Sequence, residues 1–169
     1  MKKLLCSLFL LIAVITAYCQ ENTEVIRYKN AIGLGAGFTT GYGLSYKHAP
    51  NKYGFMINFG PYFNDYGKES VISTGLTLID KIRDAKYYNV YMYLANHYFY
   101  SRTADYTYYP PTTPQKYSIN NSWNTGFGLG LEVDARKRVV LNVMVGYAQY
   151  NTFEKLFFTG ELALHYRFN

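Results

Sequence analysis

Charge is scarce in this sequence, and so are cysteine and proline. Asp, Glu, Lys and Arg make up 17% of 169 residues, against ~25% in an ordinary soluble protein. There are 2 Cys and 5 Pro. Few charges and many aromatics exclude intrinsic disorder, which has the opposite composition. Long hydrophobic runs are missing too: none reaches the ~20 residues of a spanning helix, so a bundle of transmembrane helices is excluded. No segment carries a helical period of useful length. Zinc-ligand spacing and a phosphate-binding loop are absent. Gly33-Leu34-Gly35 is a chance match to a dinucleotide fingerprint, because no helix follows it. No cofactor, no metal and no catalytic residue is assigned. The net charge is +6, but the basic residues are scattered. Without a basic stripe, nucleic acid is not expected as a partner.

What is abundant is Tyr and Gly. The chain holds 20 Tyr, 11 Phe and 1 Trp, with 14 Gly. That mixture favours all-β structure.

The first 19 residues read as a processing signal. Met1-Lys2-Lys3 is basic, Leu4 to Tyr18 is nearly all apolar, and Ala17-Tyr18-Cys19 places small residues at positions −3 and −1 of a cut before Gln20. These are the three parts of a secretory signal peptide. A lipoprotein cut would instead fall before Cys19, but Tyr18 is a bulky residue for that position. With cleavage after Cys19, both cysteines leave, and export to an oxidising compartment needs no disulfide framework. Residues 20–29 form a polar lead, and 30–169 form one domain.

That domain alternates with period two, the signature of strands. Eight runs are expected, at about 31–39, 42–48, 53–63, 70–79, 86–100, 122–134, 139–150 and 156–168. Most connections are turn-like, including one at Asp80 to Asp84; one, Ser101 to Asn121, is long. In the last run Leu156, Phe158, Leu162, Leu164, Tyr166 and Phe168 share a face, and Thr159, Glu161, His165 and Arg167 share the other. In the first run Gly33, Gly35 and Gly37 stand on the second face. Three alternating glycines on a water-exposed face would weaken a strand for no gain. Inside a narrow eight-stranded barrel they make room for side chains from facing strands. The apolar face then points to lipid. Aromatic residues fall near many run ends, as in the interfacial girdles of membrane barrels. The fold class expected is therefore all-β, an eight-stranded antiparallel up-and-down transmembrane barrel.

With signal, eight runs and a final amphipathic strand in place, the chain resembles the small eight-stranded outer-membrane barrels of Gram-negative bacteria, the OmpA/OmpX type. The resemblance covers about 140 residues, Asn30 to Asn169. It implies an outer-membrane location. Expected partners are outer-membrane lipid and lipopolysaccharide, and the barrel assembly machinery, which reads Leu156–Phe168 during insertion. Strand parity puts both termini on the periplasmic side and the 101–121 connection outside.

Two sets of candidate residues follow. Tyr106, Tyr108, Tyr109 and Tyr117, with Trp123 at the exit of the long connection, offer a surface for a host or cell-surface ligand, since Tyr gives contact area at low entropic cost. Lys47, Glu132, Glu161, His165 and Arg167 face the lumen, where buried charges need partners, so an ion-pair network is expected. The function expected is a structural or surface-binding, adhesive barrel with a filled lumen. The alternative is a lipid-modifying enzyme, of the lipid A acylase or deacylase kind. It would need a base beside a nucleophile, and His97 with Ser101, four apart in one run, would sit about 13 Å from each other by strand rise.

Overall fold

The computed structural model describes residues 28–64, 69–85, 87–104, 117–134, 138–151 and 154–169. The expected signal peptide falls outside these residues. Eight strands follow one another: β1 Asn30–Ala36, β2 Gly43–His48, β3 Tyr53–Asn64, β4 Glu69–Asp84, β5 Tyr88–Ala104, β6 Tyr117–Asp134, β7 Val139–Tyr150 and β8 Lys155–Phe168. Each pairs antiparallel with the next, and β1 pairs with β8, so the sheet closes into a barrel with no free lateral edge along the paired length. Closure in the order of the chain is the up-and-down topology, which hairpin connections make directly.

Turn chemistry sets where strands stop. Pro50 interrupts the chain between β2 and β3, and the backbone there is held by Ala49 N–H to Lys29 O at 2.9 Å and Lys81 N–H to Lys52 O at 2.8 Å. Between β7 and β8, Asn151 adopts φ 54°, a left-handed conformation that Asn tolerates better than most residues.

Three boundaries differ from the sequence reading. The turn expected at Asp80 to Asp84 is strand: β4 continues through a bulge, with Lys81 opposite Tyr91 and Arg83 opposite Val90. Ile82 is the extra residue, 58% exposed, so the bulge turns one apolar side chain outward and keeps pairing going. The long connection is shorter than Ser101 to Asn121, because Ser101–Ala104 pair with Tyr117–Asn120. Tyr117 and Trp123 are therefore strand residues. The first connection is longer than the two residues between runs 31–39 and 42–48: β1 ends at Ala36 and β2 starts at Gly43.

Burial is inverted relative to a soluble protein. On β8, Leu162 and Leu164 are each 53% exposed while their neighbours Glu161 and His165 are 2% exposed. The same alternation holds on β6, where Phe127 and Leu129 face out and Asn124 and Glu132 face in. An apolar side chain left in water forgoes roughly 1.5–3 kcal/mol, and apolar patches on soluble monomers seldom exceed a few hundred Å². An entire wall of Leu, Ile, Phe and Tyr is stable against lipid. From Phe158 to Phe168 along β8 is about 25 Å of height at ordinary strand rise and tilt, the thickness of the apolar band in such barrels.

Candidate functional site in the barrel lumen

The lumen is built in three layers. At the end where β1 starts and β8 stops, Glu132 of β6 stands between two cations. Lys47 of β2 and Arg167 of β8 each contact one of its carboxylate oxygens. Asn89 Nδ2 also donates to it, at 2.9 Å, and Arg167 Nη1 donates to Asp134 at 3.1 Å. Lys47 lies over the Tyr91 ring, 4.9 Å from its centroid, and also donates to Asn142 Oδ1 at 3.1 Å. Gly130 permits this arrangement: a Cβ there would overlap the Tyr91 ring.

Asn142 links this layer to His165. Its Oδ1 accepts from Lys47 and from Tyr91 OH at 3.2 Å. Its Nδ2 therefore donates to His165 Nδ1, at 3.0 Å. The proton of His165 is thus on Nε2, which donates to Ser45 Oγ at 2.8 Å. A histidine that donates to a serine is the wrong tautomer to deprotonate it.

The middle layer is mostly apolar, with the Thr77 and Tyr93 hydroxyls buried in it. Met56, Ile79, Tyr91, Tyr93, Ala95, Met144 and Ala163 form a contiguous buried cluster.

The far layer contains backbone. Residues 37–42 turn into the barrel, and Thr39 and Thr40 are buried there. Glu161 holds them: it accepts from Thr39 N–H at 3.3 Å, from the Thr39 hydroxyl, from Thr40 N–H at 2.8 Å and from Thr159 Oγ1 at 3.2 Å. Asn58 Nδ2 donates to Thr40 O at 2.9 Å, and Asn124 Nδ2 donates to Phe38 O at 3.0 Å. Tyr42 N–H donates to Ser73 Oγ at 3.0 Å. His97 Nδ1–H donates to Phe38 O at 2.8 Å, which leaves Nε2 to accept from the Ser73 hydroxyl at 2.9 Å. Ser73 and His97 are thus a serine–histidine pair with the serine donating. They are enclosed beneath the 37–42 connection, and both are buried.

Of the five lumen residues singled out in the sequence, Lys47, Glu132 and Arg167 come together as ion pairs. His165 joins them through Asn142, and Glu161 sits in the other layer with the first connection. His97 meets Ser73, not Ser101. The contacts made by Ser73, Thr39, Thr40, Asn58 and Asn142 were not anticipated. Small polar residues on an inward face carry no motif, and only pairing register across strands brings them into contact. Among the proposed surface residues, Tyr106, Tyr108 and Tyr109 lie outside the described residues. Tyr117 and Trp123 stand on the outer face of β6, Tyr117 beneath the Arg102 guanidinium, 3.9 Å from its ring centroid, and Trp123 tilted against Tyr98 at 6.1 Å.

A closed antiparallel eight-stranded sheet with an apolar outside and a polar inside is the fold of an outer-membrane β-barrel, and the chain resembles the small members of that class. No protein-family profile matches the sequence, and no curated protein matches it. Solved structures similar to it include the N-terminal β-barrel domain of Pseudomonas aeruginosa OprF, at 14% identity and a TM-score of 0.47, covering 82% of this chain and 95% of that one. Ail, the attachment invasion locus protein of Yersinia pestis, is 14% identical with a TM-score of 0.46, covering 82% and 93%. Neisserial surface protein A is 17% identical with a TM-score of 0.46, covering 82% and 91%.

Proposed function

We propose that this protein is an integral outer-membrane barrel with a filled, non-conducting lumen, serving a structural or surface-binding role at the cell surface. It would be exported through a cleaved signal peptide and inserted by the barrel assembly machinery, with lipopolysaccharide around it. The observation that carries the reading is the layered lumen. Ion pairs at one end, a largely apolar cluster in the middle and a folded-in connection at the other support a lumen filled by the protein's own residues. Moving any one of these buried charges away would strand its partner uncompensated, which holds the interior in one arrangement. The ligand-facing part is then the connection 105–116 with the rims of β5 and β6, where Tyr106, Tyr108, Tyr109 and Tyr117 supply contact area.

The enzyme alternative ranks second. It draws on the Ser73–His97 pair, but lipid substrates would have to cross the strand wall or displace residues 37–42 to reach it.

Two measurements test the proposal. Reconstituted protein in planar bilayers should show no steady ion conductance; a stable open channel would overturn the filled-lumen reading. Replacing residues 105–116 by a short Gly-Ser turn should leave the barrel folded, because the β5–β6 ladder is complete without them, and should abolish adhesion of expressing cells to host cells or matrix. Undiminished adhesion would remove the binding role.

A further inference from the structure

Strand β8 outlasts its neighbour on one side. It begins at Lys155, but its last partner on β1 is Leu162, opposite Ala36. Beyond Ala36 the chain turns into the lumen, and β2 starts only at Gly43. Residues 155–161 of β8 therefore pair with β7 alone. Backbone groups in an antiparallel strand point alternately to either side, so about half of those in this stretch face a notch in the wall.

A groove follows the notch. Phe38, Leu156, Phe157, Phe158 and Gly160 line it, with Lys155 at its far lip. Phe38 stands edge-on to Tyr150, with ring centroids 6.3 Å apart, and 69% of it is exposed. Glu154, the neighbouring carboxylate, is engaged in the turn, where Asn151 Nδ2 donates to it at 3.4 Å.

Gly160 is the second observation. At every other described glycine a Cβ would come within 3.4 Å of a neighbouring atom; at Gly160 it would meet nothing within 4 Å. Packing inside the protein does not call for glycine here. A glycine in a strand interior often marks a bulge, a tight bend or a close approach by a ligand or another backbone; the β7–β8 register runs unbroken through Gly160, so no bulge explains it.

Height in the membrane says what approaches. Phe158 lies about 25 Å above Phe168 along a tilted strand, which is the outer hydrocarbon boundary if the barrel spans the membrane as argued. Lys155 is three residues farther out, at headgroup level. Unpaired backbone groups are not tolerated in hydrocarbon, whereas at this level the phosphate and ester oxygens of a lipid can accept from the N–H groups. We propose that the β8 notch is a binding site for an anionic lipid of the surrounding leaflet. Its acyl chain lies across Gly160 between Phe158 and Leu162, and its phosphate pairs with Lys155.

The test uses the full barrel with Trp123→Phe and Phe158→Trp, which puts a single reporter in the groove on the outer face. Bilayers are doped with phosphatidylglycerol or phosphatidylcholine brominated on the acyl chain, and folding is checked by gel mobility without heating. Half-maximal quenching should need at least threefold less of the brominated phosphatidylglycerol. Lys155→Gln should erase that difference, and Gly160→Leu should weaken quenching by either lipid; Gly160→Ala, a smaller filler, should weaken it less. Equal quenching by the two lipids with Lys155 present means ordinary boundary lipid, or a peptide strand on the edge, and overturns the proposal. Quenching by neither lipid would overturn the membrane-spanning reading beneath it.

Discussion

The carbonyl oxygen of Thr40 occupies the space where a side chain on Gly75 would begin: a Cβ at residue 75 would overlap it. Thr40 belongs to the first connection and Gly75 to the middle of β4. This contact explains how six residues of backbone enter so narrow a barrel. Strand β4 presents no side chain at residue 75, where Thr40 passes, and Ser73 two residues away accepts from Tyr42 N–H, while Asn58, Glu161 and Asn124 present hydrogen-bonding groups to the buried amides and carbonyls.

Gly75→Ala should therefore push the connection out of the lumen while the strand ladder persists. Overpacking of this kind costs about 1–3 kcal/mol. Limited chymotrypsin digestion of intact proteoliposomes checks it: cleavage after Phe38 or Tyr42 should become at least tenfold faster than in the native protein. Unchanged protection would mean that the barrel wall yields instead of the connection.

Glu132 is the anion shared by Lys47 and Arg167. Glu132→Gln leaves both cations without their common partner, Arg167 keeping only Asp134. Breaking a buried pair from one side costs about 3–5 kcal/mol. Lys47→Met on top of it should recover a substantial part of the loss, since the stranded charge is gone. Urea unfolding in bilayers, followed by gel mobility, measures both. Equal stability of the single and double variants would show that Lys47 is solvated and not held by Glu132.

Much of the fold was legible because period-two alternation is a local property. On β8 the alternation of Leu162, Leu164 and Tyr166 with Glu161, His165 and Arg167 gives strand, length and faces together. The glycines on the polar face, out of place in water, then give its orientation. The bulge at Ile82 was not legible, because Asp80 to Asp84 has the polar composition of a turn and only pairing with β5 makes it strand. The folded-in connection was hidden for a similar reason. Thr39-Thr40-Gly41-Tyr42 reads as a tight hairpin, and its burial depends on Gly75 and Gly126, which lie on distant strands. The ion pairs were partly legible. Lys47, Glu132 and Arg167 share a level because strand direction fixes their height, whereas Glu161 and His165, four apart on one strand, fall into different layers.

Val143 pairs with Leu162 at mid-height and faces out, while its neighbour Asn142 is buried in the lumen. Val143→Arg should cost roughly 2–4 kcal/mol of barrel stability in bilayers. Val143→Leu should be nearly neutral, because lipid conforms to shape. A soluble core would respond differently, with about 1–3 kcal/mol lost to overpacking by the leucine. Urea titration of the three proteins separates these cases.

Orientation of the wall is the claim on which the rest depends, and depth-dependent quenching tests it most directly. The chain has 1 Trp, Trp123, so Trp123→Phe with Val143→Trp places a single indole at mid-height on the outer face. In bilayers of lipids brominated at different acyl positions, quenching should be strongest for bromine near the chain ends and weaker for bromine close to the headgroup. An indole at residue 143 that no brominated lipid quenches, in protein shown to be folded, would contradict the account, because the apolar face would then point away from the membrane.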